Sequence, residues 1–203
     1  MPLVEKIDYH ILGSKTRTLM LRSIFCTLLV LSSLQAFSQN YSPLKKGLSW
    51  KYELTTGGTI FTEIINDKHI INGKEFFVFQ RTYSRGEKQL VYTRIDSLGN
   101  EVQYNPDTGN ESISIPNEIK LNKTWANEDG TWIHQISSLH ERLGTPSETY
   151  EDCLVIESVK IISKNKRIKY KLYFIENLGF VGLKVNGKLN LYLLESSAKL
   201  QSK

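Results

Sequence analysis

Apolar residues in this chain fall into short runs, and clusters of turn-forming residues separate the runs from about residue 48 onward. The runs are rich in Tyr, Phe, Ile, Val, Thr and Trp, which favour extended backbone, and Gly, Asn, Asp, Ser and Pro lie between them. The pattern predicts eleven strands, at residues 48–55, 59–66, 75–84, 88–95, 100–105, 110–115, 131–138, 153–162, 167–175, 179–185 and 188–195.

Details of the pattern predict where the chain turns and which strands are buried. Asn72-Gly73 and Asn186-Gly187 predict type I′ hairpin turns, because both residue types tolerate positive φ. Phe76–Phe79 and Cys153–Ile156 are apolar on both faces, so we expect these strands to be central or covered on both sides. His140–Asp152 is the longest stretch without a strand pattern, and we expect a surface loop or a short cap there.

The short spacing of the strands determines the expected fold class. No helical segment separates one strand from the next, so the strands are expected to pair as an antiparallel meander. The sequence therefore predicts an all-β fold with little helix outside a signal peptide. A curved sheet or a partly open barrel is the expected form, and a two-sheet sandwich fits the same pattern.

The N-terminal region carries a secretory signal pattern that begins at Met20. Arg22 supplies the basic region, Ile24–Leu34 the apolar run, and Ala36-Phe37-Ser38 the small-residue cleavage pattern. The apolar run has about eleven residues, well below the ~20 that a membrane-spanning helix needs. We therefore interpret 1–19 as an upstream extension or a misplaced start, 20–38 as a signal peptide and 39–203 as a single all-β domain. The expected location is the periplasm or the extracellular space.

The charges of the chain are distributed unevenly. Residues 39–159 carry 12 basic and 17 acidic side chains, whereas residues 160–203 carry 10 basic and 2 acidic ones. Many of the basic residues flank a predicted hairpin turn at Ser163–Lys166. Lysines on edge strands prevent aggregation, and a cationic hairpin can also contact an anionic envelope surface such as lipid headgroups. The candidate contact residues are Lys160, Lys164, Lys166, Arg167, Lys169 and Lys171.

Residues that carry chemistry are sparse after residue 38. Cys153 is the only cysteine there, so no intrachain disulfide is possible, and its apolar neighbours predict a buried thiol. His69, His134 and His140 lack metal-ligand spacing, and we expect His134 to be a partly buried, hydrogen-bonded histidine. No nucleophile, phosphate-binding or nucleic-acid-binding motif occurs. The sequence thus predicts no metal, no cofactor, no nucleic-acid partner and no enzymatic activity.

Two segments of the chain resemble one another. Leu44–Trp50 and Ile119–Trp125 each place an aliphatic residue six positions before a tryptophan, with lysines between them. An internal duplication explains this similarity. Two independent loops that each lead to a buried tryptophan explain it as well, and on the sequence alone we favour that second interpretation.

Four segments occur in an order that resembles a known pattern: Tyr41–Trp50, Ile119–Trp125, Thr149–Glu157 and Tyr173–Val181. The chain is similar to a loose group of exported bacterial proteins and lipoproteins, Bacteroidetes-like in character, with the pattern PLKxGxxW … CLxVE … YYxxxxGxV. This resemblance implies a β-rich exported domain and no catalytic residues. The chain departs from the group because it has no cysteine suited to lipid attachment near the cleavage site.

Two functions are compatible with these observations. The first is non-catalytic binding of an apolar or amphipathic ligand, or of an envelope partner, by a domain whose tyrosines and tryptophans line a cavity. The second is a structural or interaction module without a small ligand. A hydrolase or isomerase with a site assembled from scattered residues is a third and weaker hypothesis. A deep cavity lined by Tyr and Phe favours the first, and a filled core favours the second.

We expect signal peptidase to cleave the chain between Ser38 and Gln39, because small residues occupy the positions one and three before that bond. The intact mass of the exported protein, together with N-terminal sequencing, tests this prediction. Retention of residues 20–38 in the exported form would contradict the assignment of the compartment.

Overall fold

The computed structural model describes residues 40–198, which contain twelve β-strands and no helix. No helix in this part of the chain is therefore long and apolar enough to cross a membrane. The predicted signal peptide and its cleavage site lie outside the described residues. The strands are β1 (Ser49–Leu54), β2 (Thr59–Ile71), β3 (Lys74–Tyr83), β4 (Lys88–Ile95), β5 (Glu101–Tyr104), β6 (Glu111–Ile115), β7 (Thr124–Ala126), β8 (Trp132–Gly144), β9 (Thr149–Ser163), β10 (Lys166–Ile175), β11 (Gly179–Val185) and β12 (Lys188–Ser196).

All twelve strands form one antiparallel sheet in the order β6-β5-β4-β3-β2-β1-β12-β11-β10-β9-β8-β7. Strands that are neighbours in sequence pair with one another, except that β6 and β7 do not pair, and β1 pairs in addition with β12. Within the described chain, the sheet curls into a nearly closed barrel with one unsealed seam between β6 and β7. The structure confirms the predicted all-β meander, and its form is a partly open barrel.

The structure corrects the expectation of a loop at His140–Asp152. β8 continues to Gly144 and β9 begins at Thr149, so only residues 145–148 form the connecting turn. The register between β8 and β9 shifts at three places along this hairpin, and Asp152 has a φ of 54°. Because each bulge changes the face to which the following side chains point, the alternation that marks a strand in the sequence is lost.

Two further strand assignments differ from the prediction. β2 extends to Ile71, five residues beyond the predicted end, and two register shifts interrupt its pairing with β3. β7 was not predicted, because a strand of only three residues with one half-buried side chain is too short to show a pattern. β7 nevertheless matters for the fold, since it forms one side of the seam.

The two predicted hairpin turns have the expected backbone geometry. Asn72 and Gly73 have φ values of 51° and 75°, and Asn186 and Gly187 have values of 48° and 83°. All four residues therefore adopt the left-handed conformation that a type I′ turn requires at both central positions. Their chemistry fixes the registers of the β2–β3 and β11–β12 hairpins.

The Cys153–Ile156 segment is buried on both faces, as the sequence predicts, whereas Phe76–Phe79 is fully buried on one face and half-buried at Phe77 and Phe79 on the other. Phe76 and Val78 are 1% and 3% exposed, and the Cys153–Ile156 segment is at most 2% exposed. The end of the β8–β9 hairpin that contains the turn at residues 145–148 covers the outer face of β11 and β12. A Cβ atom at Gly182 would lie 2.6 Å from the Leu143 side chain, so the hairpin packs directly against the sheet there.

The fold contains two similar halves, β1 to β6 and β7 to β12, and the two similar sequence segments occupy the same place in each half. In the first half, the Gly47 amide donates to the Ile64 carbonyl at 2.8 Å, and the Ile64 amide donates to the Leu48 carbonyl at 2.9 Å. Gly47 has a φ of 86°. The chain thereby reverses just before β1 and docks on β2.

The second half repeats this arrangement. The Asn122 amide donates to the Ile136 carbonyl at 2.9 Å, and the Ile136 amide donates to the Lys123 carbonyl at the same distance. Asn122 also has a positive φ, 66°, and β8 takes the place of β2. The connections between β4 and β5 and between β10 and β11 also have similar sequences, Ile95-Asp96-Ser97-Leu98-Gly99 and Ile175-Glu176-Asn177-Leu178-Gly179, which agree at three of five positions. These correspondences favour duplication over two independent loops.

We expect Cys153 to be unreactive in the folded protein, because its side chain is completely buried and burial raises the pKa of the thiol to about 12. Thiol titration should show no labelling until denaturant is added. Ser163→Cys, in the exposed end of β9, is the matched control and should react at once in the native protein. Cys153→Ala should cost on the order of 1 kcal/mol of stability. Rapid labelling of native Cys153 would contradict this assignment.

Candidate functional site

The barrel encloses a cavity of about 500 Å³, and every strand except β7 contributes to its lining. This volume falls within the ~300–1,000 Å³ that is typical of small-molecule sites. On most strands alternate residues line the cavity, as the pleat of the sheet requires, whereas β6 contributes the consecutive residues Ser112–Ile115. The interior of the barrel is therefore the candidate functional site.

Nine of the thirty residues that line the cavity are Phe, Tyr or Trp. The Tyr52 and Phe180 rings lie 5.5 Å apart, and the Phe180 and Phe174 rings lie 5.6 Å apart. On another part of the wall, the Trp132 and Tyr170 rings are separated by 5.2 Å. These rings contact one another around the wall and leave the centre of the barrel open. The sequence prediction that aromatic residues line a cavity is compatible with this arrangement.

The segment Tyr41–Pro43 covers one end of the barrel, which we call the plugged end. Tyr41 packs with the buried apolar residues that line the two sides of the seam, including Ile115 and Ile136. On the opposite side of the barrel, Pro43 lies so close to Gly179 that an added Cβ would be 3.3 Å from the proline ring. The segment thus crosses the end of the barrel from one wall to the other.

Trp50 and the chain before the plug hold this segment in place. The Trp50 indole N–H donates to the Leu178 carbonyl at 2.8 Å, and the Asn177 amide donates to the Asn40 carbonyl at 2.6 Å. Trp50 is only 4% exposed, so its hydrogen bond is made in a buried environment. The connection between β10 and β11 therefore anchors both the tryptophan and the start of the described chain.

Glu101 lies at the plugged end, where it is the first residue of β5 and is only 8% exposed. The Ser114 hydroxyl donates to its Oε1 atom at 2.5 Å. Among the described residues, no donor makes a well-aligned hydrogen bond with Oε2, although the Ser42 hydroxyl also favours the charged form. Burial is the dominant effect, and it raises the pKa of this carboxyl above its usual 4.5.

Arg81 projects into the cavity from β3, between Phe79 and Tyr83 on the same face. Its positive charge favours the ionised form of the Tyr52 phenol, but burial of that phenol dominates and raises the pKa of Tyr52. Within residues 40–198, the Arg81 guanidinium forms no ion pair and no hydrogen bond. It is a half-buried cation without an acidic partner.

His134 occupies the cavity wall beside the seam. Its Nδ1 atom lies 2.8 Å from the Ser158 hydroxyl, and its ring stacks between Trp125 and Trp132 at 5.3 and 6.1 Å. Burial lowers the pKa of the imidazole, so the neutral form is favoured. His134 is thus a partly buried, hydrogen-bonded histidine, as the sequence predicts.

Trp125 bridges the seam. Its indole N–H donates to the Ile113 carbonyl at 3.0 Å, which connects β7 to β6 where the strands do not pair. Asn127, two residues later, also lines the cavity, and its Oδ1 atom is buried without a hydrogen-bond partner in the described chain. The seam therefore places a second unsatisfied acceptor at the cavity wall.

The six basic residues from the sequence analysis do not form one surface. They lie on the predicted β9–β10 hairpin, with the turn at residues 164–165. Lys160 lies over the Trp132 ring at 5.4 Å, Lys169 pairs with Glu157 at 3.9 Å, and Lys171 pairs with Glu141 at 3.1 Å. Lys164, Lys166 and Arg167 have neither an ion pair nor a ring contact in the described chain.

The remaining candidates do not converge on one site. His140 pairs with Asp152 at 3.4 Å on the exposed part of the β8–β9 hairpin, away from His134 in the cavity. Residues 40–198 contain no group of three or more His, Cys, Asp or Glu side chains that could hold a metal ion. Sequence reasoning missed Glu101 and Arg81. Only Arg81 left a signal, because it interrupts an inward row of aromatic residues at Phe77, Phe79 and Tyr83.

Comparison with known proteins gives one weak structural similarity. No family model matches the chain, and no curated protein matches it. The chain is similar to a 2.70 Å crystal structure of a protein provisionally assigned as a lipoprotein, from Parabacteroides distasonis ATCC 8503. The sequence identity is 13% and the TM-score is 0.45, over 78% of this chain and 99% of that one.

Replacement of Glu101 should change the stability of the protein by an amount that depends on pH. The pKa of this carboxyl is raised in the folded protein, so its ionisation is less favourable there than in the unfolded chain. Stability contributed by the protonated form is fully present below the usual pKa of 4.5, and it is lost as the pH rises through the raised value. Glu101→Gln should therefore gain stability relative to the wild type over this pH range.

Denaturant unfolding of the two proteins at several pH values measures the difference. Glu87→Gln, at an exposed position in the turn before β4, is the control and should show no such trend. A stability difference between Glu101→Gln and the wild type that does not change with pH would show that the Glu101 carboxyl is not desolvated.

Proposed function

We propose that this chain is an exported, non-catalytic binding protein that holds an apolar or amphipathic small molecule inside its barrel. The observation that carries the proposal is the cavity of about 500 Å³ with its aromatic wall. A protein interior without a guest is normally packed as densely as an organic crystal. An unfilled interior of this size, with aromatic walls, has the shape and chemistry of a binding site.

The polar groups of the cavity support an amphipathic ligand over a purely apolar one. Arg81 lines the cavity as a half-buried cation without an acidic partner in the described chain, and polar side chains such as Gln103 and Thr93 line the same wall. Leaving such groups unsatisfied costs free energy, which a ligand with matching groups recovers. The few polar groups in an apolar wall would then orient the ligand.

The signal pattern at residues 20–38 supports export of the protein to the periplasm or beyond. The resemblance to exported bacterial β-rich proteins supports the same compartment. In that location the protein would meet amphipathic molecules that are released from membranes or taken up from outside the cell.

A second function, contact with an anionic envelope surface, is favoured by the end of the β9–β10 hairpin. Lys164, Lys166 and Arg167 lie there together, all three exposed, and have no acidic partner in the described chain. Such a cationic tip would be attracted to lipid headgroups and would lose that attraction as salt is added. This contact is compatible with ligand binding in the barrel, because the tip and the cavity use different residues.

Filling the cavity should abolish ligand binding. Val91 points into the barrel, whereas its neighbour Leu90 is 44% exposed on the outside. We expect native mass spectrometry of the protein from its own periplasm to show a bound small molecule in the wild type and in Leu90→Trp. Val91→Trp should fold and lack it, because the indole occupies the space of the ligand.

Circular dichroism and thermal unfolding establish that both variants are folded before they are compared. The proposal would be wrong if the wild type carries no small molecule and binds none of a panel of amphiphiles. Retention of the same bound mass by folded Val91→Trp would show that the ligand lies outside the barrel.

A further inference from the structure

Arg81 is the one Lys or Arg side chain among the described residues that line the cavity. Three buried side-chain atoms of residues 40–198 lack both a hydrogen-bond partner and exposure, and none of them belongs to Arg81. Because its guanidinium forms no hydrogen bond or ion pair with the described chain either, its donors are open to the cavity. A half-buried cation of this kind carries a desolvation cost that an anionic partner would offset.

Strand pairing places two further polar side chains beside Arg81. Thr62 of β2 and Gln89 of β4 are its direct partners in the neighbouring strands, so all three side chains point to the inner face. Thr62 is 7% exposed, Arg81 is half-buried and Gln89 is exposed. The Tyr83 hydroxyl donates to the Gln89 Oε1 atom at 3.0 Å, which leaves the amide hydrogens of Gln89 free. This row therefore supplies hydrogen-bond donors from the interior of the barrel to its rim.

The described lining of the cavity holds no second free charge. Its one carboxyl, that of Glu101, accepts from the Ser114 hydroxyl at 2.5 Å, has the Ser42 hydroxyl beside it and presents no accessible Oε2 atom. Its one imidazole is that of His134, and burial lowers the pKa of this group so that the neutral form is favoured. A ligand with one negative charge therefore matches the cavity, whereas a ligand with two would bury one of them without a cation.

We propose that the ligand of the barrel is a monocarboxylic amphiphile, whose carboxylate pairs with Arg81 and whose apolar body lies along the aromatic wall. This inference rests on the proposed binding function and specifies the chemistry of the ligand. The planar guanidinium fits a carboxylate through two parallel hydrogen bonds. Phe79 and Tyr83 flank Arg81 on the same face of β3, and its charge also acts on the Tyr52 phenol, so apolar contact area begins directly beside the cation.

Calorimetric titration of the exported protein with probes of equal chain length tests the proposal. The probes are dodecanoate, dodecyl alcohol, dodecylammonium and dodecyl phosphate, each below its micellar concentration, with shorter and longer homologues to find the length that the wild type binds most tightly. At that length, the carboxylate should bind about tenfold more tightly than the alcohol, and the ammonium should bind least tightly. Binding of the phosphate that is tighter than binding of the carboxylate would overturn the assignment of a singly charged headgroup.

Substitutions of Arg81 assign the preference to this residue. Arg81→Met should remove the advantage of the carboxylate over the alcohol and leave affinity for the alcohol within about twofold. Arg81→Lys should keep part of the advantage, because the charge remains and the paired donors are lost. Arg85→Met, in the exposed turn after β3, is the matched control and should leave the ratio unchanged. Circular dichroism establishes that each variant is folded, and Arg81→Gln replaces Arg81→Met if the latter does not fold.

The outcomes separate this inference from the binding function on which it rests. If the carboxylate and the alcohol bind the wild type equally well, water solvates Arg81 and the barrel binds amphiphiles without selecting an acid. If folded Arg81→Met keeps the advantage of the carboxylate, another residue recognises the headgroup. Either result would overturn the inference and leave the binding function intact. If no probe of any length binds, the proposed binding function itself is wrong.

Discussion

The pairing of β1 with β12 is the constraint on which the rest of this structure depends. It joins the beginning and the end of the folded chain, and Trp50 faces Ser196 across it. Ser49 and Ser197 add hydrogen bonds beyond the regular ladder, at 2.8 and 2.9 Å. Without this pairing, the chain would consist of two six-stranded meanders with four open edges. With it, two curved half-sheets become one wall around a common interior. Because the paired strands are distant in sequence, this step of folding carries a large entropic cost.

The similarity of the two halves explains how one chain builds such a wall. Each half starts with a reversed loop, a residue of positive φ and a tryptophan whose indole donates to a backbone carbonyl. Trp50 uses this bond to hold the plugged end, whereas Trp125 uses it to bridge the seam. The same local structure thus serves two purposes. The first strand of the first half, β1, pairs with β12, whereas the first strand of the second half, β7, pairs only with β8. The two similar halves are in this way asymmetric at their two junctions.

The sequence was sufficient to predict the fold class, the two Asn-Gly turns and the burial of Cys153, since each depends on local chemistry or on alternation along one strand. It was not sufficient at β8 and β9, where bulges such as the one at Asp152 move side chains from one face to the other. The candidate site was harder still. Glu101 follows a turn and has the character of a surface residue. It is buried because β1 to β5 pair side by side and curl, which brings β5 close to the Tyr41–Pro43 segment that precedes β1. Arg81 interrupts an aromatic row, but the sequence does not show what faces it across the barrel.

The unsealed seam has a consequence for the size of the interior. In a closed barrel, the number of strands and their stagger fix the radius, because every strand is hydrogen-bonded on both sides. Here β6 and β7 are linked by the Trp125 indole and by packing, and no continuous ladder joins them. The circumference is therefore free to widen or narrow at one line without the loss of any strand pairing. A wall of this kind is adjustable, and the width of its interior is set by side-chain contacts along the seam and not by the geometry of the sheet.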